Sequence, residues 1–183
     1  DEYVGLRSDA PQCFSNFLVE HIFGRVPFKQ VFLLKPSGDG EAECARYSKL
    51  LLENPTDIVV MGIGENGHIA FNEPPKATDA ITDEEYKNCG TRCADIATET
   101  IVNNGANKLR GALDIFPKRC ITLGMKQLLK AKVLKVYLYC NWQWGIMRKM
   151  ALEEESRLMP VSFLQSHPNA EMVITESLYE FNL

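Results

Sequence analysis

Apolar residues alternate along the chain between two patterns. PQCFSNFLVEHIF (11–23) and GEAECARYSKLLLE (40–53) have apolar residues at helical spacing, whereas KQVFLL (29–34) and DIVVMGIG (57–64) are short apolar runs. The first pattern predicts amphipathic helices, and the second predicts strands buried on both faces. The first 64 residues are therefore predicted to fold as helix, strand, helix and strand.

The same alternation continues to the end of the chain. RCITLG (119–124) precedes MKQLLKA (125–131), VLKVYLYC (133–140) precedes WQWGIMRKMALEEE (142–155), and MPVSFLQ (159–165) precedes AEMVITE (170–176). Buried strands separated by helices are typical of parallel sheets that are covered on both sides. The pattern predicts an α/β fold with an open, mainly parallel sheet and helices on both faces.

One stretch interrupts this regularity. Residues 75–116 are more polar, with TDEEYKNCG (82–90) and IVNNGANKLRG (101–111). One interpretation is a lid insertion over one end of the sheet, because long irregular insertions are often lids. The alternative is a variable surface excursion. Either way, residues 1–183 are predicted to form a single domain.

Composition narrows the class of protein. The 183 residues are 45% hydrophobic and 24% charged, with a formal net charge of −4 and scattered positive charges. This balance argues against nucleic acid as a partner, and no apolar run approaches the roughly 18 residues of a membrane span. With no secretion signal visible and six cysteines spread through the elements, we expect a cytoplasmic protein with reduced thiols.

Two of the cysteines are close in sequence. Cys89 and Cys93 would share one face if their segment were helical. A tetrahedral zinc site needs two more ligands, and no matching pair follows. We therefore predict no structural metal.

The candidate chemistry lies in GIGENGHIAFNEPP (62–75), directly after a predicted strand. Ligands of open parallel sheets bind at the carboxyl ends of strands, and glycines there let a ligand approach the backbone. His68 with Glu73 could transfer protons, because a carboxylate fixes the imidazole tautomer and stabilises its cation. Asn66 adds a neutral hydrogen-bonding group. The alternative is a structural histidine beside an ordinary Asn-Gly turn.

This segment resembles the signature of the glucosamine-6-phosphate deaminases, G-x-G-x-[DN]-G-H-I-[AG]-F-N-E-P. Three further segments are similar to family motifs: DEYVGL (1–6), AECARY (42–47) and LQSHP (164–168). The related 6-phosphogluconolactonases have G-H-T-A-S-L-F-P at this turn, from which GHIAFNEP departs. The resemblance implies a Rossmann-like fold, similar to that of ribose-5-phosphate isomerase.

The resemblance also implies a reaction and its residues. The family converts an amino-sugar phosphate to a ketose phosphate and ammonia without a metal or an organic cofactor. His68 matches the ring-opening acid and base, Asn66 and Glu73 match its partners, and Asp1 matches the enolisation base. The expected partner is a small sugar phosphate, and the resemblance allows a homo-oligomer.

Three departures from the family pattern bear on activity. Family members have an upstream strand and a Gly-Gly-x-[TS]-P turn that binds phosphate. We therefore expect this chain to be truncated at its N-terminus. In a truncated chain, Asp1 would lie beside a free α-amino group and would be a poor base. Trp144 replaces a phosphate-binding lysine, and the phosphate-binding arginine falls near Ala97. An acidic AITDEEY (80–86) replaces the basic run that binds an allosteric effector in some members. The candidate substitutes for the missing cations are Arg92, Lys108 and Arg110.

Two other functions are compatible with these departures. One is a non-catalytic sugar-phosphate sensor, because some bacterial transcription regulators use a similar domain. The other is hydrolysis of the 6-phosphogluconolactonase kind. Asp1, His68 and Glu73 together favour the deaminase, since a sensor needs no proton-transfer groups.

Overall fold

The structure is a computed structural model that describes residues 1–180, apart from the side chains of residues 107 and 108. The chain divides into two compact units. Unit 1 comprises Asp1–Leu50 and Thr91–Thr122, and unit 2 comprises Leu51–Gly90 and the chain from Leu123 onward. Each unit has its own three-stranded sheet.

Unit 1 contains an antiparallel sheet with the strand order β1-β4-β3. The strands are β1 (Glu2–Tyr3), β3 (Arg92–Asp95) and β4 (Arg119–Thr122), and the helices are α1 (Phe14–Leu18), which continues as a π-helical turn (Val19–Phe23), α2 (Gly40–Glu53) and α4 (Thr98–Lys108). In the register, Tyr3 is opposite Cys120 and Cys93 is opposite Ile121. The boundary between the units falls inside α2, after Leu50.

The buried carboxylate of Glu2 stabilises the start of α1. It accepts hydrogen bonds from the backbone amides of Tyr3 at 2.9 Å, Phe14 at 3.1 Å and Ser15 at 2.8 Å. Two of these amides belong to the first turn of α1, where N–H groups have no partner within the helix. Tyr3 stacks on Phe14 with ring centroids 5.1 Å apart and meets Phe116 edge-on. Of the two acidic residues that begin DEYVGL, Glu2 therefore has a structural role.

The predicted strand at 29–34 belongs to neither sheet in the described chain. Its backbone is bound instead by side chains of α2. Arg46 donates to the carbonyl of Leu33 at 2.8 Å, and Tyr47 donates to the carbonyl of Phe32 at 3.1 Å. The buried Glu43 accepts from the amide of Lys35 at 2.8 Å and pairs with Arg46. The strand prediction was wrong because these side chains satisfy backbone groups that a sheet would otherwise pair.

Unit 2 contains the parallel sheet, with the strand order β2-β5-β6. Its strands are β2 (Ile58–Met61), β5 (Val133–Leu138) and β6 (Ala170–Ile174), and its helices are α3 (Asp83–Lys87), α5 (Met125–Leu129), α6 (Gln143–Leu152), a 3-10 helix (Pro160–Leu164) and α7 (Glu176–Tyr179). The core is formed by fully buried side chains from β5, α5 and the 3-10 helix, among them Leu134, Met125 and Phe163.

The α/β class and the parallel sheet are confirmed in unit 2. Two details differ from the sequence-based expectation. The sheet of unit 1 is antiparallel, because alternation of elements does not determine the direction in which a strand pairs. The last predicted pair is reversed: residues 160–164 form the 3-10 helix, and Ala170–Ile174 forms strand β6 beside β5.

The segment 75–116 is more regular than its polarity suggested. It contains α3, β3 and α4, and β3 pairs with β4 along its whole length. Cys89 follows α3 in unit 2 whereas Cys93 lies in β3 of unit 1, so the two residues do not lie on one helix, the condition for a shared helical face. A role for this segment as a lid stays a prediction. Within residues 1–180, no helix is both long enough and apolar enough to cross a bilayer.

Candidate active site

The candidate site is built on the tight turn that follows β2. The amide of Gly64 donates to the carbonyl of His68, and the amide of Gly67 donates to the carbonyl of Gly64, both at 3.0 Å. Gly67 has a φ of +83°, a conformation that favours glycine. The carbonyl of Gly67 also accepts from the amide of Val161 at 2.9 Å, which ties the turn to the 3-10 helix. Side chains on this turn are therefore held on a fixed backbone.

Two glycines of the turn have no room for a side chain. A Cβ atom at Gly64 would lie 2.0–2.4 Å from three atoms of the His68 imidazole. A Cβ atom at Gly67 would lie 2.2 Å from the sulfur of Met159. The imidazole thus packs directly on the backbone of the turn, and this contact fixes the position of the ring.

Three of the predicted site residues meet in one hydrogen-bonded group. The Nδ1 atom of His68 is 2.8 Å from Oδ1 of Asn66 and 3.2 Å from Oε2 of Glu73. The Nδ2 group of Asn66 donates to Oε2 of Glu73 at 2.8 Å, and Oδ1 of Asn66 also accepts from the backbone amide of His68 at 3.2 Å. The side chains of His68 and Glu73 are each about one-tenth exposed. The structure therefore brings Asn66, His68 and Glu73 together.

This arrangement determines the tautomer of His68. Nδ1 faces two oxygen acceptors, the amide oxygen of Asn66 and the carboxylate of Glu73, so Nδ1 is the nitrogen that holds a proton. In the neutral ring, the basic lone pair is then on Nε2. The negative charge of Glu73 stabilises the imidazolium that forms when Nε2 takes up a proton. The group can therefore accept a proton and return it.

Tyr86 and Asn72 fix the main chain around Glu73. The buried hydroxyl of Tyr86 lies 2.8 Å from the carbonyl of Asn72 and 3.0 Å from that of Glu73. Asn72 is itself fully buried, and its Nδ2 donates to the carbonyls of Ile69 at 2.9 Å and Leu123 at 2.8 Å. These bonds fix the backbone on both sides of the residue that contacts the imidazole.

Gln143, the first residue of α6, connects the ends of two parallel strands. Its Nε2 donates to the carbonyl of Ile63, just after β2, at 3.0 Å. Its Oε1 accepts from the amides of Tyr139 and Cys140, just after β5, at 3.0 and 2.9 Å. Gln143 thereby positions the start of the glycine turn relative to the end of β5.

Sequence reasoning did not assign roles to these three supporting residues. Asn72 was visible within the signature itself, and Tyr86 follows the helix start at Thr82, where Glu85 completes a capping box. Gln143 stands between two tryptophans at a helix start, which gives no indication that its amide bridges two strand ends. Each of these roles depends on a partner that is remote in sequence.

The other predicted residues are distributed between the units. Asp1 is exposed and precedes β1 in unit 1. Trp144 is half-buried in α6 and packs against the core of unit 2. The candidate substitute cations belong to unit 1: Arg92 is half-buried on β3, Arg110 is exposed with a φ of +52°, and the side chain of Lys108 lies outside the described part of the chain.

No family model matches the chain, but comparison with known proteins gives relatives that share one name. A glucosamine-6-phosphate deaminase of Lactobacillus delbrueckii subsp. bulgaricus is 34% identical over 180 residues, which cover 97% of this chain and 71% of the relative. A protein of the same name from Streptococcus sanguinis is 35% identical over 176 residues, covering 94% of this chain and 69% of the relative.

Solved structures extend the comparison. A monomeric glucosamine-6-phosphate deaminase superposes with a TM-score of 0.85 at 27% identity, over 99% of this chain and 72% of that one. A 6-phosphogluconolactonase from Thermotoga maritima gives a TM-score of 0.67 at 16% identity, over 94% of this chain and 69% of that one, a likeness of fold alone. With sequence identity above 30% along nearly all of its length and the Asn66–His68–Glu73 group in place, the chain belongs to the glucosamine-6-phosphate deaminase family.

Proposed function

We propose that this protein is an enzyme that converts glucosamine 6-phosphate, or a closely related hexosamine phosphate, and water to a ketose phosphate and ammonia. The observation that supports the proposal is the hydrogen-bonded group of Asn66, His68 and Glu73 on the turn after β2. This group has a defined tautomer and an adjacent carboxylate, which are the properties that proton transfer at neutral pH requires.

In the first step, His68 opens the sugar ring. Nε2 takes the proton of the C1 hydroxyl, the bond between C1 and the ring oxygen breaks, and the same nitrogen returns the proton to the ring oxygen. Glu73, 3.2 Å from Nδ1, balances the charge of the imidazolium between these two transfers. Asn66 contacts both residues and keeps the ring oriented.

In the second step, a carboxylate moves a proton from C2 to C1 of the open-chain aldehyde. The C2 carbon, which bears the amino group, becomes an imine, and water replaces its nitrogen to give the ketone and ammonia. We assign the carboxylate to Asp1 because it matches the enolisation base in the family motif, and the assignment applies to a chain in which a preceding residue removes the free α-amino group. Neither step needs an electron acceptor, since oxidation at C2 is balanced by reduction at C1.

Phosphate binding is the feature in which this chain should differ from its relatives. Trp144, near the start of α6, aligns with a phosphate-binding lysine, and an indole offers an N–H donor without a positive charge. We therefore propose weaker binding of the phosphate group than a lysine at this position would give. The expected ligand remains a small sugar phosphate.

The expected location is the cytoplasm, and the thiols are consistent with it. All six cysteines are free, three of them buried and three half-buried. Free thiols are typical of reducing compartments. A homo-oligomer stays a prediction, which light scattering of the purified protein would test.

The proposal is tested by incubating the protein separately with glucosamine 6-phosphate and with 6-phosphogluconolactone. Ammonia release from the first substrate, lowered by roughly 10²–10⁴-fold in His68→Gln, is the expected result. Hydrolysis of the lactone without ammonia release would overturn the proposal in favour of a lactonase. Binding of glucosamine 6-phosphate without turnover, with equal affinity in the protein and in His68→Gln, would instead identify a sensor.

A further inference from the structure

A second cluster of reactive side chains lies in unit 1. Glu41 and Cys44 come from the first turns of α2, and Cys93 comes from β3. The two sulfur atoms are 3.8 Å apart, and one carboxylate oxygen and both sulfurs all lie within 4.8 Å of one another. Cys44 is buried, Cys93 is half-buried and Glu41 is exposed, so the cluster opens to solvent on one side.

We propose that Glu41, Cys44 and Cys93 form a binding site for a thiophilic divalent cation of the zinc class. Zinc binds thiolates at about 2.3 Å with tetrahedral angles, which places two sulfur ligands about 3.8 Å apart. The separation of the Cys44 and Cys93 sulfurs equals that spacing. The distance between the two sulfurs therefore already suits one shared ion, and the exposed carboxylate can move to become the third ligand.

The local structure holds these three groups in place. Glu41 and Cys44 are three residues apart on α2 and so lie on the same face of the helix. Cys93 is fixed by its sheet register opposite Ile121. A Cβ atom at Gly40 would lie 2.7 Å from the Cys93 sulfur. The absence of a side chain at Gly40 therefore gives the thiol of Cys93 the room that it occupies.

Burial of the two thiols means that only a cation with strong affinity for sulfur could bind them. Burial raises the pKa of Cys44 to about 12 and also raises that of Cys93, so a bound ion must displace two thiol protons. Zinc and related ions do this more readily than magnesium or calcium, which prefer oxygen ligands. Arg119 lies 3.9 Å from Glu41 and 3.7 Å from Asp95, so it keeps an acidic partner if Glu41 turns to the ion.

Three protein ligands leave one position of a tetrahedral ion for a water molecule. None of the three residues has a part in the proton transfers proposed above. The site therefore stands independently of the deaminase proposal, and its test does not use catalytic activity.

The test is titration of the reduced protein with Zn²⁺ alone, in competition with a chromophoric zinc chelator. One equivalent should bind, and Cys93→Ser should lose more affinity than the roughly 10- to 100-fold that follows loss of an outer-shell partner. The matched control is Cys140→Ser, a half-buried cysteine of unit 2, which should bind like the parent protein. Equal binding by Cys93→Ser and Cys140→Ser would overturn the site.

Two further measurements separate a metal site from an unfolded variant or a disulfide. Circular dichroism checks the fold of Cys93→Ser, and Glu41→Gln, an exposed change, should weaken zinc binding without altering the spectrum. Co²⁺ bound to the parent protein should give sulfur-to-cobalt charge-transfer absorption that is absent in Cys44→Ser. A reduced protein that binds neither ion would overturn the proposal, as would binding that Glu41→Gln and Cys44→Ser both leave unchanged.

Discussion

The imidazole of His68 lies directly on the backbone of Gly64, where an added Cβ atom would be 2.0 Å from Cε1. Gly64→Ala should therefore displace the ring while leaving the buried core unchanged. A displacement of about 1 Å at a reacting group can lower turnover roughly 10²-fold, and we expect a loss of that size in kcat/KM for ammonia release.

The matched control is Gly145→Ala in α6, where an added Cβ atom has no neighbour within 4 Å. This variant should keep full activity. Equal activity of the two variants would show that the contact between Gly64 and His68 does not position the imidazole.

Replacement of His68 by glutamine removes the proton-transfer group. The fold should persist, because backbone hydrogen bonds of Gly64, Gly67 and Val161 hold the turn and do not involve the imidazole. Turnover of the cyclic substrate should fall by roughly 10²–10⁴-fold, the usual contribution of a general acid or base. Rates of ammonia release under saturating substrate would check this, and an unchanged rate would exclude His68 as the ring-opening group.

The hydroxyl of Tyr86 contacts the main chain of Glu73, so we expect Tyr86 to act by positioning Glu73 rather than on the substrate. Tyr86→Phe removes the hydroxyl that is 2.8 Å from the carbonyl of Asn72 and 3.0 Å from that of Glu73. We expect a loss of about 1 kcal/mol in the free energy of unfolding, typical of one hydrogen bond, together with a lower kcat at nearly constant KM. Denaturant melts and steady-state kinetics measure the two effects, and a change in stability alone would leave Tyr86 with a structural role only.

Trp144→Lys tests whether an indole stands where relatives bind phosphate. A charge-assisted contact contributes about 1.5–3 kcal/mol, which corresponds to roughly 10- to 150-fold in affinity. The lysine variant should gain affinity of this size for glucosamine 6-phosphate but not for glucosamine. Trp142→Lys, at an exposed position at the start of α6, is the matched control. Calorimetry that gives both variants the same preference for the phosphorylated sugar would contradict the assignment.

The Glu43–Arg46 pair should make stability depend on pH. Burial alone would raise the pKa of Glu43, but hydrogen bonds from Arg46 and the Lys35 amide outweigh it and hold the pKa below its ordinary value of 4.5. A lowered pKa in the folded state stabilises the protein above pH 4.5, and this contribution is lost as the pH falls through the lowered value. Glu43→Gln should therefore cost about 1–3 kcal/mol near pH 7.

Urea unfolding of the parent protein and Glu43→Gln at several pH values measures that difference. The gap should narrow steadily below pH 4.5. A gap that stays constant down to pH 3 would show that the charge of Glu43 contributes nothing to the effect.

Sequence alone determined the features whose causes are local. The spacing of apolar residues located α2 and β5, because helical and strand periodicities are properties of a single segment. The signature identified Asn66, His68 and Glu73 as one group, since a turn of eight residues brings its own side chains together.

Tertiary structure decided the features that depend on remote partners. Residues 29–34 look like a strand, yet Arg46 and Tyr47 bind their carbonyls, so the segment joins neither described sheet. Gln143 bridges Ile63 and Cys140 only because β2 and β5 pair in parallel. Cys44 and Cys93 are 49 positions apart, and their sulfurs meet because β3 and α2 fold into one unit. The hydrophobic pattern indicates which face of a helix or strand is buried. The residues that pack against that face are determined only when the chain folds.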